Sequence, residues 1–169
     1  ELRREMPLVL VDRKVDGLDS DMIGLNNPQA VEMALAHLEQ RGYRDVLLVT
    51  EPYDGTSSRI ERVSSFQTQL KQRSALNGAV VETGDDLATH LQTFLHKPDL
   101  GPKALFCANG VAALAATHAL RKIGSRLFED IGLIALDDLD WYPLVGSGIT
   151  ALAQPTEAIG ARAFECLLK

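Results

Sequence analysis

The chain has 169 residues, with 17 Lys and Arg against 23 Asp and Glu, which leaves a formal charge of −6 at neutral pH. That length suits one domain, and 46% hydrophobic with 24% charged residues is globular rather than disordered composition. The acidic balance argues against this chain alone as a nucleic-acid binder, because grip on a phosphate backbone needs clustered Lys and Arg. One Trp, three Tyr and five Phe leave little for stacking on bases. No apolar run approaches the ~20 residues that cross a bilayer, and no basic-then-apolar leader opens the chain. Cys107 and Cys166 are too few for a disulfide framework or a structural zinc site; both read as reduced core residues, which fits a cytoplasmic protein. The first residue is Glu, and ELRREM reads as the polar end of a preceding helix, so a piece of a longer protein is expected.

Apolar runs and helical patterns alternate from there. PLVLVD at 7–12 is a short continuous apolar run, predicted to be a strand buried on both faces. A helix is predicted at about 28–41, with Asn27 as its cap, Pro28 in its first turn and Gly42 at its end; Val31, Ala34, Leu35 and Leu38 form its buried face. Strand 45–50 is followed by the polar loop EPYDGTSS and a helix at 59–73 that buries Ile60, Val63, Phe66 and Leu70. Strand 78–82 precedes a helix at about 86–96, which must stop by Lys97 because KPDLGP carries two prolines. Strand 103–108, an Ala-rich helix at 110–123 closed by Gly124, strand 131–136, strand 149–153 and a helix from Pro155 to the end complete the order. Val-, Leu- and Ile-rich strands alternating with helices predict an α/β fold: a doubly wound, flavodoxin-like parallel sheet with right-handed crossovers.

In such sheets ligands bind beyond the carboxyl ends of the strands. There the sequence places Asp12, Ser57, Ser58, Arg59, Arg62, Asp85, Asp86, Asn109 and the acids Asp137, Asp138 and Asp140. The set is rich in donors and acceptors and poor in nucleophile–base pairs, which suits a polyhydroxylated ligand whose hydroxyls each donate and accept. Polar residues also collect at loop starts without any ligand, so the set alone leaves both readings open. No G-x-G-x-x-G, phosphate loop or G-x-S-x-G motif is present, and Gly146-Ser147-Gly148 lacks the spacing of a nucleophile elbow. His37, His90, His96 and His118 fall on predicted helices without i, i+4 partners and read as structural, so no metal, cofactor or catalytic residue is assigned. The three acids after strand 131–136 read either as loop caps with one ligand contact or as a cation or phosphoryl site.

The successive blocks PLVLVDR, NNP…HL-x-x-RGYRDVLLV, SSRIERVSSF, KALFCANGVAALAATHAL, FEDIGLIALDDLDWYPL and ITALAQPTEAIGARAFECLL resemble the LacI/GalR family of bacterial transcriptional regulators over nearly the whole chain. The resemblance implies an effector-binding core shaped like a periplasmic sugar-binding protein. Two flavodoxin-like lobes would flank a cleft, a helix-turn-helix domain would precede them, and the protein would act as a homodimer. Residues 26–150 would then be the C-terminal effector lobe. Residues 1–25 and 151–169 would belong to the crossovers and an incomplete N-terminal lobe, whose strand at 7–12 and helix at 155–169 would expose apolar faces. Operator DNA would be bound only through the missing domain, and no membrane is involved.

Position by position, the resemblance assigns effector contacts to Asp12, Ser58, Arg62, Asn109, Asp137 and Gln154, with Arg13, Arg59, Asp86 and Trp141 as further candidates. Asp86 stands where many sugar-binding members place an aromatic ring, and Gly110 replaces the usual acid after Asn109. Arg59 and Arg62 lie three apart at a helix start, a natural carboxylate seat, although Arg59 is equally readable as a solvated partner of Glu61 or Asp54. The run D-G-T-S-S-R-x-E-R is most similar to members that sense gluconate or ketogluconate, so a sugar acid is the expected effector. Two other readings stay open: a periplasmic sugar-binding protein of a transporter, and a phosphoacceptor domain using Asp137 or Asp138.

Overall fold

A computed structural model describes residues 7–98 and 101–168. The segment ELRREM, Asp99 and Leu100 of the KPDLGP loop, and Lys169 at the end of the last predicted helix lie outside the described residues. The elements are β1 (Val9–Val11), β2 (Asp21–Ile23), α1 (Asn27–Gln40), β3 (Asp45–Thr50), α2 (Ser57–Gln72), β4 (Asn77–Glu82), α3 (Leu87–His96), β5 (Lys103–Cys107), α4 (Gly110–Lys122), β6 (Gly132–Leu136), a 3₁₀ turn (Tyr142–Leu144), β7 (Thr150–Leu152) and α5 (Thr156–Leu167).

Five strands form one parallel sheet in the order β4-β3-β5-β6-β7. This is the flavodoxin-like winding, in which the second strand of the set sits outside the first and the rest add on the other side. Strand alternation divides the core. Val46, Leu48, Ala104, Phe106, Ile134 and Leu136 face α1 and α2, where they meet Val31, Leu35, Val63 and Phe66. Leu47, Val49, Leu105, Cys107, Leu133 and Ala135 face α3 and α4, where they meet Leu91, Phe94, Ala116 and Leu120. Every residue of β3 is buried, as expected of a strand covered on both faces. Each large side chain so buried contributes roughly 1.5–3 kcal/mol.

The small strands β1 and β2 pair in parallel apart from this sheet, and α5 packs against both. The run at 7–12 is therefore not a strand buried on both faces: only Val9–Val11 pair, and Val11 is 52% exposed, because a two-stranded sheet with one helix covers one side. Ile60 is likewise exposed rather than buried. Helix α2 begins at Ser57 and buries Ser58, Arg62, Val63 and Phe66, a stripe that turns Ile60 to the far side. Asn27 is not the cap of α1; Asn26 is, accepting from the Gln29 N–H at 3.1 Å. Cys107 is fully buried, and burial pushes its thiol well above the ordinary range. Cys166 is only half-buried, because α5 has a single buried residue, Ala163.

Leu8, Val11, Val15 and Leu18 near β1, Phe164 and Leu167 on α5 and Leu168 just after it are all exposed. Apolar surface gathered in this way drives association, so the isolated chain is expected to elute from size-exclusion chromatography as dimers or larger species; a monodisperse monomer by light scattering would contradict this. Two glycines make a contrasting pair. A Cβ on Gly78 in β4 would lie 2.7 Å from the Val46 carbonyl oxygen and 3.0 Å from the Phe66 ring, whereas Gly160 in α5 faces open space. Gly78→Ala should cost about 1–3 kcal/mol in urea unfolding, and Gly160→Ala should stabilise by up to about 1 kcal/mol.

Candidate functional site

The carboxyl ends of β3, β5 and β6 and the end of β1 converge on a cavity of 160 Å³, space for about five waters at ~30 Å³ each. Its lining is polar throughout: Asp12, Arg13, Thr56, Ser58, Arg59, Arg62, Asn109, Asp137 and Gln154. A larger groove of 820 Å³ runs along β4 and α3, but its floor is Leu47, Val80, Val81 and Phe94, and it lacks a comparable convergence of charged groups.

Arg62 is the centre of the site. One turn into α2, it is 4% exposed, and its guanidinium is clamped from two sides. Nε donates to Asn27 Oδ1 at 2.7 Å and Nη1 donates to the Ala108 carbonyl at 2.9 Å; neither bond uses Nη2, and the residue lines the cavity. Asn27 in turn donates from Nδ2 to Glu61 Oε2 at 2.8 Å, so the side chain expected to cap α1 instead orients the arginine. Burial lowers the Arg62 pKa from its ordinary value, and the charges of Asp12 and Asp137 oppose that shift. The guanidinium keeps its charge, as arginine does throughout proteins.

The two aspartates reach the cavity by the same device. Asp12 follows β1 and donates its backbone N–H to the Ile23 carbonyl at the end of β2; Asp137 follows β6 and donates to the Leu152 carbonyl at the end of β7, both at 3.1 Å. Both then turn into the left-handed region, at φ 74° and 71°. Aspartate tolerates that conformation better than most residues, at a cost of order 1 kcal/mol. Asp137 is held on both oxygens: Gln154 Nε2 donates to Oδ1 at 2.5 Å, and the Gly110 N–H donates to Oδ2 at 3.1 Å. Asp12 accepts from Arg13 Nε at 3.2 Å in an exposed pair.

Asn109 caps α4, its Oδ1 accepting from the Ala112 N–H at 2.8 Å, so its amide nitrogen is turned outward to Glu51 Oε2 at 2.7 Å. The same Glu51 oxygen accepts from Arg59 Nη2 at 2.7 Å. Arg59 thus pairs with Glu51 rather than with Glu61 or Asp54. Thr56 precedes α2 and lines the cavity beside Ser58, and Ser57 Oγ accepts from the Lys14 N–H at 2.8 Å, tying the segment after β1 to the start of α2.

Eight of the ten residues named from the sequence therefore line one cavity: Asp12, Arg13, Ser58, Arg59, Arg62, Asn109, Asp137 and Gln154. Asp86 and Trp141 lie elsewhere. Asp86 is exposed at the start of α3, beside the loop Glu82–Asp85, and the Trp141 ring stands edge-on to Tyr142 with centroids 4.6 Å apart. Sequence reasoning missed Asn27, Glu51 and Thr56. Glu51 directly follows strand β3, the position at which the strand-end rule looks for ligand groups. Asn27 carried no such signal, since its role depends on α1 packing against α2. If Asn27 holds Arg62, Asn27→Ala should lower the unfolding free energy by about 1–3 kcal/mol, because it strands a buried donor and a carboxylate together; an unchanged urea midpoint would show that Arg62 is held by other groups.

Residues 35–169 match the periplasmic binding protein-like domain family. The HTH-type transcriptional regulator PtxS of Pseudomonas aeruginosa is 61% identical to this chain, over 99% of the chain and 49% of the relative. The HTH-type transcriptional regulator KdgR of Bacillus subtilis is 33% identical, over 98% of the chain and 50% of the relative. The chain thus spans about half the length of the curated relatives it matches. Among solved structures, a putative ribose operon repressor from Burkholderia thailandensis superposes with a TM-score of 0.80 at 23% identity, over 96% of this chain and 61% of that one, a likeness of fold. The chain belongs to the periplasmic binding protein-like domain family.

Proposed function

We propose that this chain is the effector-sensing core of a bacterial LacI-type transcriptional repressor and that its effector is a sugar acid such as gluconate or ketogluconate. The observation that carries this reading is the buried, charged Arg62, clamped by Asn27 and Ala108 at the wall of a small cavity lined by hydroxyl, amide and carboxylate groups. A carboxylate fits the guanidinium, and sugar hydroxyls fit Asp12, Asp137, Ser58 and Gln154, each of which pairs with a group that both donates and accepts. The names of the relatives PtxS and KdgR support a regulator over the binding protein of a transporter.

In this reading residues 26–150 form the C-terminal effector lobe, and residues 1–25 and 151–169 belong to the crossovers and the N-terminal lobe. Asp12 and Arg13 then approach the effector from one side of the cleft and Arg62 and Asp137 from the other. Bound effector draws the two sides together, and a cytoplasmic homodimer passes that change to helix-turn-helix heads on operator DNA. The coupling needs only ~1–3 kcal/mol and is reciprocal.

Calorimetric titration of the full-length gene product with gluconate and 2-ketogluconate tests the reading. Arg62→Ala should weaken binding by about 2–4 kcal/mol, since it removes the buried charge that the ligand neutralises. Operator DNA should weaken binding of an inducing acid. Unchanged sugar-acid affinity in a folded Arg62→Ala protein would refute the site, and equal affinity with and without operator would refute the switch.

A further inference from the structure

Glu51 has a place behind the cleft wall that the motif blocks do not explain. It follows β3 and Asn109 follows β5, so their hydrogen bond spans the point from which the sheet is wound in both directions. Its Oε2 takes two charge-assisted or amide donors at 2.7 Å, from Arg59 and Asn109, both of which line the cavity. Its side chain is 24% exposed, so the pairing is largely shielded from water. Neither donor is free to turn away. Asn109 is locked by its cap to the Ala112 N–H, and Arg59 donates its other terminal nitrogen to the Pro52 carbonyl at 2.9 Å. Arg62 differs, since both of its protein bonds leave one terminal nitrogen over.

We propose that Glu51 is a specificity-determining residue: its carboxylate is a fixed internal anion that keeps Arg59 and Asn109 from a ligand, so the cleft accepts a sugar carrying one carboxylate, seated on Arg62, and rejects a sugar diacid. This rests on the sugar-acid reading of the site. Without Glu51, Arg59 would keep only the Pro52 carbonyl as a partner, and the Asn109 amide would lose its acceptor. Glu51 acts through its two donors and is a positioning residue rather than a direct ligand contact.

The test compares gluconate, with one carboxylate, and glucarate, with two, by calorimetry on the full-length gene product. The wild-type protein should prefer gluconate by about tenfold or more, and Glu51→Gln should move the ratio towards glucarate by about tenfold or more, tenfold being the low end for one close charge pair. Glu51→Asp, which keeps the charge and shortens the reach, should move it the same way by less. Adding Arg59→Ala to Glu51→Gln should restore the original ratio. A second measurement does not depend on any sugar: sodium sulfate, compared with sodium chloride at equal ionic strength, should raise the Tm of Glu51→Gln more than that of the wild type, and Arg59→Ala should abolish the difference. Equal binding of glucarate and gluconate by the wild type, or a Glu51→Gln protein with an unchanged ratio and no sulfate response, would overturn the role of Glu51. A sulfate response in Glu51→Gln with no sugar acid bound by the wild type would uphold Glu51 as an internal anion and reject the sugar-acid reading.

Discussion

A positive charge buried beneath the carboxyl edge of the sheet constrains this molecule more than any other group. Removing a guanidinium from water costs several kcal/mol unless its hydrogens are met and an opposite charge lies close. Arg62 meets the condition with a side chain from α1, a carbonyl at the end of β5, and the fields of Asp12 and Asp137. Those partners come from four separate stretches of the chain. α1, α2, the end of β5 and the segment after β1 therefore all meet at one side chain. Asn27 shows how far this reaches, since its amide is buried between Arg62 and Glu61 and bridges two helices.

The order of the sheet explains why the chemistry gathers where it does. Because β3 lies between β4 and β5, the loops leaving β3 and β5 diverge to opposite faces and open a crevice between them. Thr56, Ser58, Arg59 and Arg62 descend from one loop, and Asn109 begins the helix after the other. Asp12 and Asp137 enter through matching left-handed turns at the ends of strands in two different sheets. A cavity flanked in this way has one wall on the five-stranded sheet and one on the β1–β2 pair, so any change in the separation of those sheets alters it directly.

Much of this was legible in the residues. The continuous apolar runs at 45–50, 103–108 and 131–136 marked strands covered on both faces, because only such strands can be apolar on both sides of the pleat. The strand-end rule located Asp12, Arg62, Asn109 and Asp137, and the motif resemblance added Gln154 from the end of the chain. The errors share a cause. The run at 7–12 and Ile60 look buried when judged by hydrophobicity alone, yet whether an apolar side chain is covered depends on what packs over it. The strand β2 was missed because Asp21–Ile23 is short and follows a polar stretch with no period.

The sequence by itself determined the α/β alternation, the parallel sheet, the family and the identity of most polar groups around the cleft, since these follow from local pattern and from residue types in fixed succession. Tertiary structure decided the partnerships. That Asn27 holds Arg62, that Asn109 answers to Glu51, and that Asp86 and Trp141 stand apart from the cavity all depend on distances between segments remote in the chain. Hydrogen bonds weaken steeply with distance and angle. Their pairing is settled only once the helices have docked on the sheet, which no local run of residues specifies.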